Sequence, residues 1–143
     1  MKVIIPGEPK GKGRPRATVI HGHARVYTPA TTASYENLVK LCFLEQNEGG
    51  KPTTKAVSLE VRFRFGLNKS DYNSKGEPNK HGKAKLQGTE FHKKKWDVDN
   101  LLKSVMDGLN GVAYSDDCNV IRVVAEKSFS EKPETEVMID EIE

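Results

Sequence analysis

The sequence predicts an α+β domain: one mixed or antiparallel sheet with two helices packed on it. Three observations carry this. Residues 57–65 alternate strictly, with Val57, Leu59, Val61, Phe63 and Phe65 set against Ser58, Glu60, Arg62 and Arg64, the period of a half-buried strand. Tyr35, Leu38, Val39, Cys42 and Phe43 recur at helical spacing within 32–46. Leu101, Leu102, Val105, Met106 and Leu109 do the same within 99–110 and make a second amphipathic helix. A chain of 143 residues has room for one core and not comfortably for two, so 1–143 reads as a single small domain.

Taken in order, residues 2–5 form a short apolar strand that stops at Pro6-Gly7. Residues 10–16 hold no apolar side chain and read as an exposed loop, because their Gly and Pro break helix and strand alike. Residues 17–20 and 24–27 flank His21-Gly22-His23, a tight hairpin turn whose histidines read as polar turn residues rather than metal ligands. Thr28-Pro29 leads into the first helix, and Gly49-Gly50 with Pro52 ends it. After the strand at 57–65, residues 66–92 have almost no apolar content and read as a flexible, structureless basic insertion. Gly111 closes the second helix, Asp116-Asp117 marks a turn, and 120–125 and 136–142 are the last two strands. The order β, ββ, α, β, α, β, β is that of an α+β fold.

Charge narrows the function. The formal net charge is +3, yet it comes to +5 over 1–25, +1 over 26–65, +5 over 66–96 and −8 over 97–143. Two basic segments suit a polyanion, and an acidic segment beside them needs a counter-ion, for which a divalent cation is the simplest candidate. A merely solubilising distribution would look similar. No run approaches the roughly 20 apolar residues of a membrane span, and 1–16 lacks a signal-peptide core, so a cytoplasmic protein without a membrane partner is expected. Cys42 and Cys118 form no metal-binding spacing and read as two ordinary thiols.

The residues able to do chemistry fall between 97 and 117. Asp97 and Asp99 sit one residue apart at the mouth of a helix, where extended backbone points both side chains the same way. Two converging anions repel, and a hard cation with oxygen ligands relieves that. Lys103 lies one turn beyond Asp99 on the same face. Asp116-Asp117 follows the helix and its return loop, and can bring a third carboxylate back. Three acids and a lysine beside a basic surface suit metal-assisted phosphodiester hydrolysis. Taken singly, each has a plainer reading: Asp before a helix is more often an N-cap than a ligand, Lys103 a solvated surface residue, Asp116-Asp117 a turn. A calcium loop from Asp97 fails, because Leu102 and Gly108 stand where Gly and Glu are needed. Gly7 to Lys12 does not fit the phosphate-binding loop of nucleotide enzymes, so no nucleotide cofactor is expected.

The stretch from Asp97-Val-Asp99-Asn-Leu-Leu-Lys103 through Asp107-Gly-Leu109 to Asp116-Asp117 resembles the RusA-type Holliday-junction resolvases of bacteria and their prophages. Residues 6–16 and the Tyr27-Thr-Pro…Tyr35 segment are similar to the family as well, which leaves 66–92 least anchored. The resemblance implies a RusA-like, homodimeric endodeoxyribonuclease that uses Mg²⁺, with Mn²⁺ able to substitute. Such an enzyme resolves four-way junctions by paired symmetric hydrolysis in DNA recombination and repair. It also implies that Asp97, Asp99 and Asp117 are catalytic metal ligands, with Asp116 a secondary candidate, and that Lys103 is the catalytic lysine. Lys10, Lys12, Arg14, Arg16, Lys93, Lys94 and Lys95 are the candidates for binding DNA phosphates. The 57–65 strand or the 35–43 helix is the expected dimer surface. Two alternatives stay open at this level: a non-catalytic DNA-binding module, and a nuclease of similar chemistry acting on flaps or other branched DNA.

Overall fold

The computed structural model describes residues 1–13, 16–20, 22–27 and 30–142, with the backbone only for 16–20, 24–27 and 30–32. Four strands make one mixed sheet: β1 (Lys2–Pro6), β4 (Val57–Gly66), β5 (Val120–Ser130) and β6 (Glu134–Glu141). Its order is β1-β6-β4-β5, with β4 antiparallel to β6 and parallel to β5. β2 (Arg16–Ile20) and β3 (His23–Tyr27) pair with each other as a separate two-stranded hairpin rather than joining the sheet. The turn residue His21 lies outside the described residues.

α1 (Ala30–Gln46) and α3 (Val98–Leu109) share one hydrophobic cluster with the sheet. The alternation of β4 sends Val57, Leu59, Val61, Phe63 and Phe65 into that cluster, where all are buried, and leaves Glu60 and Arg62 exposed. From α1 come Tyr35, Val39, Cys42 and Phe43; from α3 come Leu101, Val105 and Leu109. Gly108 lets the two helices touch, because a Cβ there would lie 2.7 Å from the Val39 Cβ. The faces expected between subunits are therefore occupied within the chain. β4 is paired along both edges, and the apolar side chains of 35–43 lie in its own core, apart from Leu41, which is exposed.

The insertion at 66–92 is the main departure from expectation. Instead of a structureless loop it holds a 3-10 turn (Lys69–Asp71) and a third helix, α2 (Lys80–Gln87). Polar interactions order it. The Asp71 carboxylate is buried, accepts from the Asn68 amide at 2.7 Å and pairs with Lys85 Nζ at 2.8 Å. Asn79 caps α2 by accepting from the His81 and Gly82 amides, satisfying donors that a helix start leaves open. Hydrophobic periodicity cannot signal order built this way. Among the described residues no helix is long and apolar enough to cross a membrane.

Candidate active site

The site is organised by α3. Asp97 stands at its N-cap position, yet its side chain makes no capping hydrogen bond and is exposed, so capping does not account for it. Asp99, Lys103 and Asp107 follow at four-residue intervals and line one face of the helix. Asp99 and Lys103 are exposed, while Asp107 is half-buried.

Two segments pack beside that face. The N-terminal loop runs along α3: the Lys12 amide donates to the Asn100 carbonyl at 3.0 Å, and Ser104 Oγ donates to the Lys10 carbonyl at 2.7 Å. Gly11 meets the Trp96 ring where a Cβ would come within 2.6 Å of it, which fixes the loop against the approach to Asp97. The Lys12 ammonium hydrogen-bonds to Asp107 and lies 3.5 Å from Glu36 Oε1 on α1. The bond to Asp107, backed by both carboxylate charges, pushes the Lys12 pKa up. Lys12 thus faces two of the chain's own anions.

The second segment is the return loop. Tyr114 is fully buried and donates its hydroxyl to the Met106 carbonyl at 2.9 Å, locking the loop under α3. Its phenol is pushed far up by burial, with Asp117 and Asp107 contributing. Bonds from Ser115 N to Thr53 O and from Asn119 Nδ2 to Thr54 O, both 2.9 Å, hold the far end. This places Asp117 at the foot of β5, where burial pushes its carboxyl above the usual range. The charges of Asp107 and Asp116 add to that push, while Lys103 and Lys12 oppose it. Asp117 Oδ1 is buried without a hydrogen-bond partner.

Lys103, Asp107, Asp116, Asp117 and Lys12 therefore share one electrostatic neighbourhood, with Asp99 a turn from Lys103 and Asp97 at the helix mouth. Among the described residues no three acidic, imidazole or thiol side chains are already gathered as a metal-holding group, so the expected set of Asp97, Asp99 and Asp117 is not preassembled. Bare carboxylates repel when brought together. The donors nevertheless suit a hard divalent cation: all are carboxylate oxygens, and one is buried with nothing donating to it.

Of the candidate DNA contacts, Lys10, Lys93, Lys94 and Lys95 are exposed. Lys127 Nζ donates to the Lys94 and Trp96 carbonyls at 2.9 and 2.8 Å, clipping that basic segment to β5. Arg14 lies outside the described residues, as does the side chain of Arg16. Sequence reasoning assigned no role to Asp107, although it follows Lys103 by the same four residues that separate Lys103 from Asp99. Nothing in the sequence marks Glu36 as a partner of Lys12.

Residues 6–140 match the family described as "Endodeoxyribonuclease RusA". The chain is also 35% identical to "Uncharacterized protein YqaN" of Bacillus subtilis (strain 168) over 142 residues, 99% of this chain and 96% of that protein. The chain belongs to the RusA endodeoxyribonuclease family.

Proposed function

We propose that this protein is a Mg²⁺-dependent resolvase, with Mn²⁺ able to substitute, that acts as a homodimer on four-way DNA junctions in recombination and repair. The observation that carries the reading is Asp117: a carboxylate oxygen buried without a donor, in the field of Asp107, Asp116 and Lys103. Asp97, Asp99 and Asp117, with Asp116 adjacent, would hold the cation. When bound, the ion supplies Lewis-acid stabilisation at a phosphate oxygen and a lowered pKa for water. Lys103, exposed on the same helix face, neutralises charge that builds on the phosphate during in-line displacement. Lys12 holds Asp107 and joins the N-terminal loop to α3. Lys10, Arg14, Arg16 and Lys93 to Lys95 bind backbone phosphates, a salt-dependent contribution blind to sequence. Paired nicks require two sites, and a two-fold dimer sets them against a nearly two-fold substrate.

The test is a labelled four-way junction, a flap and a linear duplex, each with Mg²⁺ and with chelator, alongside sedimentation of the protein. Symmetric paired nicks in the junction, only with metal, from a species of twice the chain mass are expected. Preferential flap cleavage would redirect the reading, and junction binding without any cleavage would leave only a DNA-binding module.

A further inference from the structure

At the other end of β5 from Asp117 lies a second concavity that the chemistry above does not use. A cavity of about 300 Å³ opens where the 66–92 insertion meets the ends of β4 and β5. Its walls combine the rings of Phe65, His92 and Phe129 with Lys85 and with two carboxylates, Glu8 and Glu90. His92 stacks on Phe65 with ring centroids 3.9 Å apart and planes 20° from parallel, and tilts against Phe129 at 5.3 Å. Lys85 Nζ lies 5.0 Å from the centre of the Phe129 ring. At the rim stands Phe91, 71% exposed, with Lys93 and Lys94 beside it. The exposed ring offers a face on which a planar group can stack.

The chemistry of the cavity is specific. Burial, helped by the charges of Lys127, Lys85 and Lys94, holds the His92 imidazole below its usual range. The ring is thus neutral at pH 7 and offers a flat stacking surface. His92 Nδ1 is buried without a hydrogen-bond partner, and Asn68 lines the same wall. A pocket of this size suits one planar heterocycle, with lysines at its mouth for the phosphates on either side. Its position fits too. Five residue steps lead from His92 to Asp97, so their Cα atoms are at most about 18 Å apart.

We propose that this cavity takes one nucleobase of the bound DNA, extruded at the branch point, with Phe91 stacking on it at the rim. The proposal rests on the branched-DNA reading given above. An extruded base leaves the helical stack most easily where stacking is already interrupted, which is the branch. The pocket would thereby favour branched DNA over linear duplex and set the branch within reach of Asp97.

The probe is a four-way junction carrying 2-aminopurine next to the branch, or, as control, well out along one arm, titrated with the full chain in chelator so that no cleavage occurs. The expected result is a fluorescence change at the branch position alone. Phe91→Ala, a truncation at an exposed position, should abolish that change and weaken junction affinity about ten-fold while leaving linear-duplex affinity unchanged. Absence of a branch signal with the wild type, or the same signal and affinity in Phe91→Ala, overturns the pocket. A junction that is cut in Mg²⁺ without a branch signal removes the pocket and leaves the nuclease reading intact. A branch signal that depends on Phe91, with no cleavage in Mg²⁺, does the reverse.

Discussion

Asp71 in the insertion and Asp117 at the end of the return loop are both shielded carboxylates in one small fold, and their surroundings are opposite. Asp71 receives an amide and an ammonium, and with those partners its pKa falls below the ordinary value despite burial. Asp117 has one oxygen with no donor, two acidic neighbours, and a pKa pushed upward. A carboxylate that is fully partnered stabilises its own loop. One left short of partners is strained toward binding a proton or a cation, which is the state a metal ligand holds before its ion arrives. The contrast separates the basic insertion, ordered by its own charges, from the α3 region, where charge is left available for a ligand.

Substitutions sharpen that contrast, beginning with the largest effect. Asp99→Asn keeps size but removes one ligand charge on the α3 face. Junction cleavage is expected to fall by at least about 100-fold, with binding in chelator retained or strengthened, since an anion has left a polyanion site. Wild-type cleavage rates would remove Asp99 from the metal set. Lys103→Ala is expected to slow cleavage about 10- to 100-fold without moving the melting temperature, because an exposed lysine adds little stability. An unchanged rate in a well-folded variant would make Lys103 a solvated surface residue.

The insertion answers in stability. Asp71→Asn leaves Lys85 facing a neutral amide, and a loss of about 2 kcal/mol is expected by denaturant titration. That figure is set below the cost usual for fully buried pairs because Lys85 keeps 11% exposure. The pH dependence has a definite sign. With the folded pKa of Asp71 below its unfolded value of 3.8, the stabilisation is full above that value. It is lost as pH falls through the folded pKa, so Asp71→Asn should flatten the stability curve in the acid limb below about pH 4. A variant as acid-sensitive as the wild type would show that the pair contributes nothing. The smallest effect is expected at the basic segment. Changing Lys93 to Lys95 to Ala should weaken binding to DNA of every sequence and lower the salt slope by about 0.9 for each phosphate no longer neutralised. Weakening confined to one DNA sequence would mean base readout instead.

The parts legible in the sequence are those with a strict period. β4 shows its buried face in five alternate apolar residues, and α3 carries Asp99 and Lys103 on one side by spacing alone. α2 was illegible because Lys80–Gln87 has only two apolar side chains besides its glycine, and its order comes from Asn79 and the Asp71–Lys85 pair. The partners of Lys12 were hidden for a related reason. A lysine in a Gly-rich basic loop reads as a phosphate ligand, while its partners Asp107 and Glu36 are brought to it only by the packing of α1 on α3.

The central claim is that Asp117 holds the cation on which strand cleavage depends. Its most direct test is the cleavage rate of a four-way junction by Asp117→Asn across a Mg²⁺ titration, with junction affinity measured separately in chelator. The account predicts a loss of at least about 100-fold that added Mg²⁺ does not restore, with affinity equal to or tighter than wild type. Cleavage at the wild-type rate and the wild-type Mg²⁺ midpoint would contradict it.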